Sequence, residues 1–131
     1  MKTNLDKLFK VDEDISLNGV EFSIDDKTSF HVRHFVSTNP RVKAAMAAYY
    51  KPYARQVELG TLDQKKSDEI TIKLFIDVCL VSWKGVEIDE EEVECNKENA
   101  LILFTRLPAL FDALWKHAND FVNYKEDLGN S

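Results

Sequence analysis

In this 131-residue chain, three residue types could do chemistry: three histidines, two cysteines and the carboxylates. His31 and His34 form an H-x-x-H pair in "SFHVRHFV". On a strand, residues three apart point to opposite faces, so the two could not share a metal ion. On a helix they could, but zinc needs further ligands and His117 is the only other histidine. His31 and His34 are therefore expected at the surface or a strand edge, and His117 on a solvated flank beside Lys116. Neither Cys79 nor Cys95 adjoins a histidine, and two isolated thiols give no disulfide framework and suit a reducing compartment. A G-x-S-x-G elbow is lacking, and so is a Gly-rich phosphate loop, in a chain with four glycines. Paired carboxylates such as Asp25-Asp26, or Asp63 with Asp68, have no apolar setting that would raise a pKa. The expectation is a non-enzymatic protein with no catalytic, cofactor or metal residues.

The densest charge follows Trp83 and Gly85, where six carboxylates crowd between Glu87 and Glu94. A calcium loop needs alternating oxygen ligands and a glycine at its sixth position, and "DEEEVECNKENA" has neither. The run reads as a solvated connection.

Tyr49, Tyr50 and Tyr53 flank Pro52 in "AAYYKPYARQ", with Arg55 just beyond. One helical stripe cannot bury all three, since consecutive residues diverge by roughly 100°. They read either as core residues or as a binding surface, where Tyr and Arg are enriched. Arg106, before Pro108, is a further candidate for the same role.

These residues must be positioned by one domain, the expectation for this length. A net charge of −6 disfavours nucleic acid and anionic membranes as partners. The first residues, "MKTNLDKLFKVDED", lack the apolar stretch of a secretory signal, and no apolar run reaches the roughly 20 residues of a membrane helix. A cytosolic protein is expected.

The expected fold class is α+β, a small N-terminal antiparallel β-meander over 14–36 packed on a mainly helical part of about four helices over 40–124, with a flexible tail at 125–131. Asn18-Gly19 between alternating runs signals a hairpin. "DDKT" reads as a turn, and "SFHVRHFV" as a third strand with Phe30 and Val32 on one face. Ser37, Thr38 and Asn39 offer caps before Pro40, and Val42, Ala45, Met46, Tyr49 and Tyr53 share a helical face. Pro52 should kink or split this helix and Gly60 should end it. Thr61 with Gln64 suggests a capping box, and the apolar run Ile70 to Trp83 a buried helix capped at Gly85. Asn96 should cap "KENALILFTRL", Leu107-Pro108 should break it, and Leu110, Phe111, Leu114, Trp115, Ala118, Phe121 and Val122 form the apolar stripe of the last helix.

In that order, "FHVRHF", "NPRVKAAMAAYYKPYARQVELGTLD", "LVSWKGVEID" and "KENALILFTRLPALFDALWKHANDF" resemble the tail assembly chaperones of bacteriophages with long, non-contractile tails, lambda-like phages and prophages included. The resemblance implies a non-structural protein of the host cytoplasm, absent from the mature virion. Such proteins coat and solubilise the tape-measure protein and help recruit major tail tube subunits, and the family often makes a longer product by frameshifting. No catalytic residues carry over. With such a client, self-association is expected, and the partner surface is expected at Tyr49, Tyr50, Tyr53, Arg55 and Arg106. The alternative is an acidic protein-interaction or DNA-mimic inhibitor of phage origin, against which the interspersed lysines of "DQKKSDE" and "NYKEDLGN" argue.

Overall fold

The computed structural model describes residues 2–125. The fold is α+β: an antiparallel sheet of three strands covered on one face by helices. The sheet runs in the order β1 (Val20–Ser23), β2 (Ser29–Val32), β3 (Leu80–Lys84). Phe22, Phe30 and Trp83 stand opposite one another across the three strands, and Phe30 and Trp83 meet edge to face at 6.0 Å. That row faces the helices, whereas Glu21, His31 and Ser82 share the other face. Cross-strand aromatic pairs of this kind stabilise a sheet beyond simple burial.

Two short helices precede the sheet, α1 (Leu5–Phe9) and α2 (Glu13–Asn18). The expected strand at residues 14–17 is therefore a helix. Its N-cap is Asp12, whose carboxylate accepts from the Ile15 N–H at 3.0 Å, and Glu13 and Asp14 favour the first turn. Gly19, at φ 90°, ends this helix instead of turning a hairpin. The turn at "DDKT" is formed as expected, with Asp25 accepting from the Lys27 and Thr28 N–H groups, both at 2.8 Å. Those bonds, Lys27's first, hold the Asp25 carboxyl below its usual range.

The helices beyond the sheet begin with α3 (Pro40–Tyr50), capped by Asn39 with Pro40 in its first turn. At Pro52 the chain passes through a 3-10 turn (Lys51–Tyr53) into α4 (Ala54–Leu59), so the proline splits the helix as expected. Gly60 closes α4 in the left-handed region. The capping box at Thr61 does not form: Asp63 takes the N-cap position of α5 (Gln64–Val78), and Gln64 donates to Asp68 one turn on, at 2.8 Å.

The apolar run Ile70 to Trp83 is not one helix. Helix α5 ends at Val78 and Leu80–Lys84 becomes β3. Ile70, Leu74, Phe75 and Val78 keep helical spacing, whereas Leu80, Trp83 and their neighbours complete the ladder of β2. Gly85 is left-handed as expected, at φ 67°, but it follows a strand. The acidic connection then folds into a hairpin of β4 (Glu87–Ile88) and β5 (Glu91–Glu92). Its two turn residues, Asp89 and Glu90, both have positive φ, the requirement of a type I′ turn. All six carboxylates of the stretch are exposed.

Asn96 caps α6 (Lys97–Arg106) through the Asn99 N–H, and Pro108 opens α7 (Pro108–Asn119), both as expected. The apolar stripe of α7 continues only to Ala118. Asp120 starts a separate 3-10 turn (Phe121–Tyr124), and Val122 is exposed. Lys125 bridges Val11; the rest of the expected flexible tail, 126–131, lies outside the described residues.

The core is aromatic. Phe75, Phe104 and Phe111 meet pairwise at 5.5–5.6 Å, and Phe30 and Trp115 border them. Each fully buried side chain of this size contributes about 1.5–3 kcal/mol by transfer from water.

Candidate functional site

Four of the five candidate interface residues lie on one arm, the α3–α4 segment. The stripe Val42, Ala45, Met46 packs on the core and carries Tyr49 in register with it. Tyr49 donates its phenol to the carboxylate of Asp77 on α5, whose other oxygen receives Lys97 of α6 at 3.1 Å. Burial, and then the Asp77 bond, push the Tyr49 phenol up to about 12, so it stays a neutral donor to Asp77, the residue that links the three helices. Tyr53 is half-buried beneath Lys66, whose ammonium lies 5.6 Å from the ring centroid. Lys66 also pairs with Glu69 at 3.2 Å, which raises its pKa. Tyr50 is half-buried, and Arg55 is exposed.

Arg106 is not brought to this group. It ends α6, about 14 Å along the helix from Lys97 at 1.5 Å per residue. There its guanidinium holds both oxygens of Asp89, at 2.8 and 3.4 Å, and keeps that carboxyl below its usual range. The acidic hairpin is thus clamped at its turn by Arg106. At its base the Trp83 indole N–H donates to the Val93 carbonyl at 2.9 Å.

The histidines depart from expectation. His31 is half-buried, its Nε2 2.7 Å from the Asn18 carbonyl oxygen. His34 lies beyond the end of β2 and is only 4% exposed. Its Nδ1 is 3.0 Å from the Ser16 hydroxyl, and its ring stacks on Tyr124 at 4.4 Å. His117 packs edgewise on Phe22 and Tyr124 instead of facing water. Burial lowers the pKa of both His34 and His117 against the opposing charge of Asp120. Strand alternation carried no signal for this convergence, because His34 is set by the chain's turn toward α2 and not by the strand.

Ser16 and His34 line a cleft of about 430 Å³ between α2 and the start of α3. Among the described residues no carboxylate hydrogen-bonds His34, so the pair lacks the third group that orients a nucleophile and its base. Nor do the described residues hold a group of three or more His, Cys, Asp or Glu suited to a metal ion. Burial pushes the Cys79 thiol up to about 12, so it stays protonated. Among the described residues no helix is long and apolar enough to cross a membrane.

What the arm and the surrounding helices offer instead is apolar surface. Helix α4 buries none of its residues and exposes Val57 and Leu59, while α6 exposes Leu101 and Ile102 beside the buried Leu103 and Phe104.

The class these elements define is an α+β domain. The family model of the YdaY prophage protein matches residues 37–129, from the cap of α3 past the last described turn. The chain belongs to this family and is a protein of phage or prophage origin. No curated protein and no solved structure matches it significantly.

Proposed function

We propose that this prophage protein is a non-enzymatic assembly chaperone for phage tails. It binds and solubilises the tape-measure protein in the host cytoplasm, helps recruit tail tube subunits, and is left out of the finished virion. The observation that carries the reading is α4. Short helices in water take most of their stability from packing an apolar face. Yet α4 has six residues, buries none, and leaves Leu59 64% exposed, and the segment before it leaves Tyr50 and Tyr53 half-buried. Such a segment gains a packing partner when a client helix lies across it. The order and spacing of the motifs shared with tail assembly chaperones, and the prophage family, support the same reading.

The tape measure is a long helical client. Repeated weak contacts along it gain avidity when the chaperone self-associates. The test is co-expression with the tape-measure protein of the same phage or prophage, following soluble and co-purifying client. Wild type should keep the client soluble. Tyr50→Ser with Tyr53→Ser should lower the soluble yield while the chaperone still melts cooperatively. An insoluble client, with both the short and any frameshifted product present, would refute the reading. Tyr49 is left unchanged because it holds α5.

A further inference from the structure

Helices α5, α6 and α7 enclose a groove of about 520 Å³ on the side of α5 nearest its N-terminus. Its apolar lining comes from Ile72, Phe104, Phe111 and Trp115. Phe104 and Phe111 are core residues, while Ile72 and Trp115 are half-buried and open to a partner. Asp68 on α5 and Asp112 on α7 stand exposed on its walls, and among the described residues no cation lines the groove. Gln64 donates to one oxygen of Asp68, and among the described residues no hydrogen bond or ion pair holds Asp112.

From this geometry we infer that the groove receives a short amphipathic helix of the client, with apolar residues spaced i, i+3, i+4 and i+7 between flanking lysines or arginines. The wall of α5 from Gln64 to Ile72 is about 12 Å long, and anchors from i to i+7 span about 10.5 Å at 1.5 Å per residue. The floor supplies contact for the anchors. The two carboxylates select the sign of the flanks, in a chain whose net charge of −6 attracts basic partners from a distance. All the lining residues, Gln64 to Trp115, fall inside the family-matched segment 37–129. The inference rests on the chaperone reading only for the client's identity; the groove and its preference for a basic helix are independent of it.

The probe is a fluorescein-labelled synthetic helix of about four turns, with leucines at the four anchor positions and lysines on its flanks. A control carries glutamates in place of the lysines, and binding to the full chain is followed by anisotropy at low salt. The lysine peptide should bind, and the glutamate peptide should not. Asp68→Lys with Asp112→Lys should weaken the lysine peptide about tenfold and let the glutamate peptide bind, with an unchanged melting temperature, because both sites are exposed. Asp68→Asn with Asp112→Asn should fall between. Equal binding of both peptides, or indifference to both variants, would overturn the proposal. So would a concentration-dependent dimer that excludes the peptide, since a second copy would then fill the groove. Co-expression separates the two levels. Client kept soluble by wild type and by the charge-reversed variant alike defeats the groove alone. Peptide binding without any client solubilisation defeats the chaperone reading alone.

Discussion

The Tyr124 hydroxyl donates to the Val32 carbonyl oxygen at 3.1 Å, joining the last described turn to the middle strand across 92 residues of sequence. Both residues are fully buried, and burial raises the Tyr124 pKa, so the phenol remains a donor. The backbone of Tyr124 in turn accepts from the Asp12 N–H at 2.9 Å, and its ring lies flat on His34. The start of α2, the sheet and the C-terminal turn therefore meet at one residue.

Removing only that hydroxyl tests how far the junction matters. Tyr124→Phe keeps the ring stack and leaves the Val32 carbonyl without this donor, a loss of about 1–2 kcal/mol. Tyr124→Ala also opens a cavity and should cost about 3–5 kcal/mol. Urea denaturation reads both, and a Phe variant as stable as wild type would show that the bond adds nothing.

Stability should depend on pH through the histidines on either side of Tyr124. Their folded-state pKa values lie below the ordinary histidine value of 6.5 because burial disfavours the charged ring. The unfolded chain therefore takes up protons first as the pH falls. Stability is fully present above about pH 6.5 and declines as the pH drops through the lowered folded values, by up to about 1.4 kcal/mol per pH unit for each group. The depressed carboxylates Asp25 and Asp89 act in a separate, more acidic window, below their usual value of 3.8. Melting temperatures from pH 7.5 to 5 should fall for wild type and fall less for His34→Gln, measured relative to its own value at pH 7.5. Parallel curves would exclude His34 from the effect.

Two glycines with the same backbone angle should respond differently to alanine. Gly60 and Gly85 both have φ 67°. A Cβ on Gly60 meets nothing within 4 Å, whereas one on Gly85 would lie 2.2 Å from the Lys27 carbonyl oxygen. Gly60→Ala should therefore cost about 1 kcal/mol of left-handed strain. Gly85→Ala must also push β3 off the β1–β2 turn, and a loss of about 3 kcal/mol or more is expected. Equal melting temperatures for the two variants would contradict this packing.

The local signals were the ones a sequence states most directly. Asn39 and Asn96 as caps, Pro52 and Pro108 as breaks, and Gly60 as a helix end depend on residues within one turn of each other. The stripe from Val42 to Tyr49 and the burial of Phe30 and Val32 follow from periodicity alone. Asn18-Gly19 misled because its hairpin signal competes with the stronger cap at Asp12. The apolar run after Ile70 carried helix and strand patterns together, and only the free edge of β2 turned Leu80–Lys84 into a strand.

For the interaction surface, composition placed tyrosines and an arginine on the arm. It could not show that Tyr49 is committed to Asp77, or that Arg106 is occupied with Asp89. Those partners lie 28 and 17 residues away, beyond the reach of any local pattern. The sequence by itself determined the α+β class, the helix limits set by caps and prolines, and the apolar faces that must be buried, since each depends on neighbours along the chain. Only the tertiary structure decided which strand closes the sheet, that His34 and His117 are drawn inward, and where α5, α6 and α7 leave a groove. Each of these is settled by which surfaces meet when distant segments exclude water together.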